Sequence, residues 1–152
     1  MKNLADPAVQ ASILERIRAL RPGSKARWGR MSAHQMMCHL VDSYRVPMGE
    51  KSASAATGVL QRTLVKWAAL YVPLHWPKGV PTRPEIKQGV GGTPPSDFER
   101  DRQQLIELIR RFSELRRDFE WRAHPGFGVM RDGEWQRWGY LHADYHLRQF
   151  GV

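Results

Sequence analysis

The chain has almost no cysteine. Cys38 stands alone among 152 residues, so no intrachain disulfide can form and nothing points to an oxidising compartment. It also lacks an apolar run long enough to span a bilayer: the most apolar stretch, Leu64 to Leu74, is broken by Lys66 and Pro73, far below the ~20 residues a membrane helix needs. The opening Met1-Lys2-Asn3-Leu4-Ala5-Asp6-Pro7 has no apolar core of the secretory kind. A cytoplasmic address with no membrane partner is the resulting expectation. Acidic residues are the minority, 15 against 24 lysines and arginines. The excess is mostly arginine scattered from Arg16 to Arg148, and it reads as a basic solvated surface before it reads as a binding patch. Repeats, low-complexity tracts and strand-rich stretches are missing too, which leaves helices to build the core.

What is present is helical punctuation within a length suited to one domain, residues 1–152, large enough to bury a core without a staple. Asp6 followed by Pro7 is a helix start, a capping side chain and then a proline whose missing N–H costs little. Val9, Ile13, Ile17 and Leu20 recur at helical spacing, and Arg21-Pro22-Gly23 ends that helix. Ser32-Ala33-His34-Gln35 has the form of a capping box, and it opens a second helix to about Val46 with Met36, His39, Leu40, Ser43 and Val46 facing inward. A third helix is expected from about Thr57 to Val72, burying Val59 or Leu60, Leu64, Trp67 or Ala68, and Tyr71. Residues 73–95 hold six of the ten prolines together with Gly79, Gly89, Gly91 and Gly92, so they form a long loop, either a wrapping connection or a lid. His75, Trp76 and Val80 are expected to pack down there, while Lys78, Arg83 and Lys87 face water. Ser96-Asp97-Phe98-Glu99 opens a fourth helix to about Asp118, with Phe98, Leu105, Leu108 or Ile109, Phe112 and Leu115 buried. After the turn His124-Pro125-Gly126-Phe127-Gly128, a fifth helix runs from Arg131 or Asp132 to Phe150. The fold class is all-α, a helical bundle.

The sharpest chemical clue lies on that last helix. His142 and His146 are four residues apart, which places two imidazoles on one helical face roughly 5–6 Å apart at Cβ, within reach of one divalent ion. They fall on the inward stripe with Trp135, Trp138, Tyr145 and Gln149. An imidazole buried among apolar side chains leaves a polar nitrogen without a partner, at about 1–3 kcal/mol each, and a metal ion removes that cost. Taken singly, each histidine has an ordinary reading as a hydrogen-bonded core residue. His39, inward on the second helix between Met36 and Leu40, adds a third imidazole. The segment His142-Ala143-Asp144-Tyr145-His146 lacks the glutamate of zinc metalloproteases, so the general base of that mechanism is missing and protease chemistry is not expected. Cys38 and His39 are helix neighbours pointing apart, a poor nucleophilic pair, and Cys38 reads as a small packed residue. His34 is expected outside the inward stripe, and His75 and His124 on loops, each with a surface or turn role.

Arg27-Trp28-Gly29-Arg30-Met31-Ser32-Ala33-His34-Gln35-Met36-Met37-Cys38-His39-Leu40, the turn His124 to Gly128 and the stretch Trp135 to Phe150 together resemble the DinB-like (YfiT-like) superfamily, and within it a group of small bacterial domains. The resemblance implies a DinB-like four-helix bundle with an additional short helix and a long Pro/Gly-rich connecting loop. It also implies a divalent metal held by His39, His142 and His146. Three neutral imidazoles leave an open position of the catalytic kind, for nickel, zinc, iron or manganese. Characterised relatives in that superfamily include thiol-dependent transferases and isomerases, with a low-molecular-weight thiol as cofactor, and members regarded as hydrolases. On that footing Gln35, one turn before His39, is a candidate catalytic residue that hydrogen-bonds a metal-bound ligand, set against its plain capping role. Asp42 and Gln149 are candidates to orient imidazoles, set against ordinary polar roles.

Two readings follow. One is a metal-dependent transferase or hydrolase acting on a small-molecule substrate. The other is a non-catalytic basic protein with structural histidines that contacts nucleic acid through its arginines. No helix-turn-helix, zinc-finger or RNA-binding signature accompanies the charge, so nucleic acid is not the expected partner. A homodimer is expected through the aromatic surface of Trp67, Tyr71 and Trp76.

Overall fold

The computed structural model describes residues 1–55 and 58–152; among them there are five α-helices and no strand. The helices are α1 (Pro7–Ala19), α2 (Ala33–Arg45), α3 (Lys66–Tyr71), α4 (Phe98–Ser113) and α5 (Asp132–Gln149). α2 packs against α4 and α5, α1 packs against the same two, and α3 leans on α5. No helix among the described residues is long and apolar enough to cross a membrane.

Local chemistry sets the helix starts. The Asp6 carboxylate accepts from the Ala8 and Val9 amides, satisfying donors that the first turn of α1 leaves orphaned. At α2 the Ser32 hydroxyl accepts the Gln35 amide while the Gln35 side-chain oxygen accepts the Ser32 amide, the reciprocal pair expected from the sequence. At α4 the cap is Asp97, whose carboxylate accepts the Arg100 amide, and not Ser96. The Ser96 hydroxyl instead turns to Asp101. α4 also stops at Ser113, short of the expected Asp118, and Leu115 is left 79% exposed.

The core gathers Ile13 and Ile17 of α1, Met36, Leu40 and Tyr44 of α2, Leu105, Ile109 and Phe112 of α4, and Trp135 and Leu147 of α5. Gly139 lets these elements close up. A Cβ there would meet Leu4 Cδ1 and Phe112 Cε1, each at 2.8 Å, and the Gly139 carbonyl accepts the buried Tyr44 hydroxyl at 2.7 Å.

The third helix departs most from expectation. Its expected start at Thr57 lies outside the described residues. A π-helical turn, Gln61–Val65, runs directly into α3, and the stripe expected to be buried faces outward: Val59 is 82% exposed, Leu64 65% and Trp67 59%. Leu70 alone in α3 is fully buried. Periodicity identifies an amphipathic segment but not whether another element covers its apolar face. In the loop that follows, Trp76 packs against the core and donates through Nε1 to the Ala69 carbonyl, whereas His75 and Val80 are exposed, contrary to expectation. Pro84–Ile86 forms a short 3-10 turn against α2.

Candidate metal centre

α2 and α5 bring His39, His142 and His146 together. One ring nitrogen of each lies within 4.8 Å of the others, and ring centroids are 4.9 Å apart for His39 and His146, 5.0 Å for His142 and His146, and 5.4 Å for His39 and His142. Aromatic rings wall the cluster: Trp138 at 4.9 Å and Trp76 at 6.0 Å from His142, and Tyr145 at 5.0 Å from His146. Trp28 in turn packs edge-on against Tyr145.

The hydrogen bonds fix the tautomers of two of the three rings. His39 Nδ1 lies 3.0 Å from the Ile86 carbonyl, which can only accept, so Nδ1 carries the proton and Nε2 the lone pair. Ser43 offers Nε2 little. Its hydroxyl sits 3.5 Å away and already donates to the His39 carbonyl at 2.7 Å. Gln149 settles His146 in the same way. Its Nε2 donates to the Trp28 carbonyl at 2.7 Å, which turns Oε1 toward His146 Nδ1 at 3.0 Å, so that nitrogen too must donate. Gly29 makes room for this relay, since a Cβ there would lie 2.5 Å from Gln149 Nε2 and its φ is +81°. His142 is half-buried as a residue, but its Nδ1 is shut off from solvent with no hydrogen-bond partner.

Burial keeps all three rings neutral. It pushes the His39 pKa down despite the bond to Ile86 and the charge of Asp42. It pushes His146 to about 3, with His39 adding to the effect. It holds His142 well below the ordinary histidine range, helped by His146, His39 and His124. Neutral imidazoles are the form in which histidine ligates a metal.

The remaining candidates are distributed as follows. Gln149 touches His146 directly. Asp42, fully buried, does not orient His39; its oxygens take the Thr93 amide and hydroxyl, each at 2.7 Å, and Lys51 at 3.0 Å. Gln35 spends its side-chain oxygen on the α2 cap. His124 accepts the Gly126 and Phe127 amides through Nδ1, and burial brings its pKa to about 4. The role of the Ile86 carbonyl could not be found from sequence, because a main-chain acceptor leaves no residue-type signal.

His34, expected to be a surface residue, instead joins a second group. Its Nε2 is 2.8 Å from Asp101 Oδ2, and Cys38 Sγ is 3.6 Å from the same oxygen. The spacing of His34 and Cys38, four residues on one helix, matches that of His142 and His146.

Residues 2–151 match the model of a family described as a protein of unknown function (DUF1569). Neither curated proteins nor solved structures yield a match.

Proposed function

The chain belongs to that DUF1569 family, and we propose that it is a metal-dependent enzyme of DinB-like kind whose divalent ion is held by His39, His142 and His146. The observation that carries this reading is the orphaned His142 Nδ1, buried beside two imidazoles whose Nε2 atoms are left with lone pairs by their outer hydrogen bonds. An unpaired buried nitrogen costs about 1–3 kcal/mol, and two converging lone pairs beside an imidazole with an unpartnered nitrogen make a set that a cation would satisfy.

The donor set fits a borderline divalent ion such as zinc, nickel, iron or manganese. When bound, such an ion lowers the pKa of a coordinated water or small thiol and polarises an adjacent electrophile, the chemistry of a hydrolase or a thiol-dependent transferase on a small-molecule substrate. The chain supplies the rest. Ile86 and Gln149 hold two imidazoles in the tautomer that presents Nε2. Trp76, Trp138 and Tyr145 thin the water around the centre and so strengthen electrostatics within it. Gln35, whose side-chain oxygen serves the α2 cap, has only its amide N–H groups left for the proposed role of steering a bound ligand. Of the aromatic surface expected to pair two copies, Tyr71 and Trp76 pack against the core, so the pairing would use Trp67 with the outward Val59 and Leu64.

Elemental analysis of the purified protein tests the reading. Stoichiometric divalent metal, lost in His142→Ala, is the expected result. A metal-free wild type that binds no divalent ion on titration would overturn it, and salt-sensitive nucleic-acid binding by such a protein would favour the arginine-based reading.

A further inference from the structure

The opposite side of α2 carries a second ligand set. His34 and Cys38 lie one turn apart and project toward α4, where Asp101 stands in the first turn. One donor atom from each, a nitrogen, a sulfur and an oxygen, lies within 4.8 Å of the others. We infer that His34, Cys38 and Asp101 form a separate zinc-binding site that clamps α2 to the start of α4.

The donors are preorganised. The Ser96 amide donates to Asp101 Oδ2 at 2.9 Å and the Ser96 hydroxyl reaches Oδ1 at 3.1 Å, which fixes the carboxylate. The His34 ring is held edge-on against Phe98 at 5.2 Å. Cys38 is buried, whereas the His34 side chain keeps 20% of its exposure and Asp101 12%, so the site is closed on the sulfur side and open to an arriving ion on the imidazole side. Thiolate and imidazole together select zinc among the common divalent ions, and a single carboxylate completes a mixed set. The fourth position is left to water.

Binding is balanced by one proton. The Cys38 S–H bond is lost, its electron pair goes to zinc and the proton leaves to solvent. The His34 proton moves from Nε2 to the other ring nitrogen, so the imidazole stays neutral. This site shares no ligand with the centre formed by α2 and α5, and it stands whether or not that centre holds a metal.

The test therefore uses His142→Ala/His146→Ala, which removes the first centre, titrated with cobalt(II) as a spectroscopic stand-in for zinc. A thiolate-to-cobalt charge-transfer band saturating at one ion per chain is expected, with a melting temperature that rises with added zinc. His34→Gln should weaken binding by about tenfold or more, and Cys38→Ser should abolish the band. The band is read in a protein that keeps all three ligands, so the test stands even if a ligand variant fails to fold. Absence of cobalt binding by the double variant, or cobalt binding without the thiolate band, would overturn the site.

Discussion

The two faces of α2 contain similar side chains arranged by opposite rules. Toward α5, bonding is incomplete: His39 and His146 use Nδ1 as donors, which leaves lone pairs on Nε2, and His142 Nδ1 has no partner. Toward α4, every donor finds one carboxylate, Asp101, which collects the Ser96 amide, the Ser96 hydroxyl, His34 and Cys38. Burial opposes ionisation of Asp101, yet those bonds together hold its carboxyl below the ordinary range. The same burial, with Asp101 beside it, pushes the Cys38 thiol up to about 12. One face is thus satisfied from within, and the other leaves a buried imidazole nitrogen without a partner among the described residues.

Acid should break this contrast most strongly. In the metal-free protein His39, His142, His146 and His124 have folded pKa values below that of the unfolded chain. Below about pH 6.5 the unfolded state therefore binds more protons, and stability falls as pH drops toward about 4 for His124 and about 3 for His146. Between pH 7 and 5, above the carboxylate range, urea unfolding should show a loss of up to roughly 2 kcal/mol for each imidazole. A stability that stays flat over that interval would contradict the burial of these rings.

Asp101→Ala comes next in size. It strands the Ser96 amide, His34 and Cys38 at once, and should cost about 2–3 kcal/mol in the metal-free protein; a change under about 0.5 kcal/mol would show that the carboxylate is not what satisfies this face. Gln149→Leu tests the other side, because losing the acceptor for His146 Nδ1 should weaken divalent metal binding about 10–100-fold with the helical signal unchanged. Equal affinity in calorimetry would remove Gln149 from the centre. His142→Leu should have the opposite sign to Asp101→Ala, stabilising the metal-free protein by about 1 kcal/mol, since it deletes an orphaned nitrogen and leaves no partner behind. Destabilisation there would mean that Nδ1 has a partner in solution. Smallest of all, Val59→Ser should shift the unfolding midpoint by less than about 0.5 kcal/mol, as befits an outward side chain.

Much of this arrangement was legible in the residues because it is local. Asp6 with Pro7 and Ser32 with Gln35 place helix starts through contacts spanning three or four residues, and the spacing of His142 and His146 fixes their shared face without reference to the rest of the chain. His39 required only the inward register of α2. What stayed hidden depends on distant partners. His34 and Cys38 carry the same four-residue spacing, but their meaning comes from Asp101, more than sixty residues away. Ser96 mimicked a cap because its hydroxyl chemistry is right, while the α4 start was taken by Asp97. The apolar positions Val59, Leu64 and Trp67 looked like core because periodicity records amphipathicity alone, and no described element covers them.

The bond from His39 to the Ile86 carbonyl has an implication for how such a centre can be retuned. A peptide oxygen is present whatever side chain residue 86 bears, so exchanges of single residues there leave the acceptor in place. Insertions or deletions between α3 and α4 would move it. Length variation in that proline-rich connection, more than replacement of residues facing the imidazoles, is therefore the natural dial for His39 basicity.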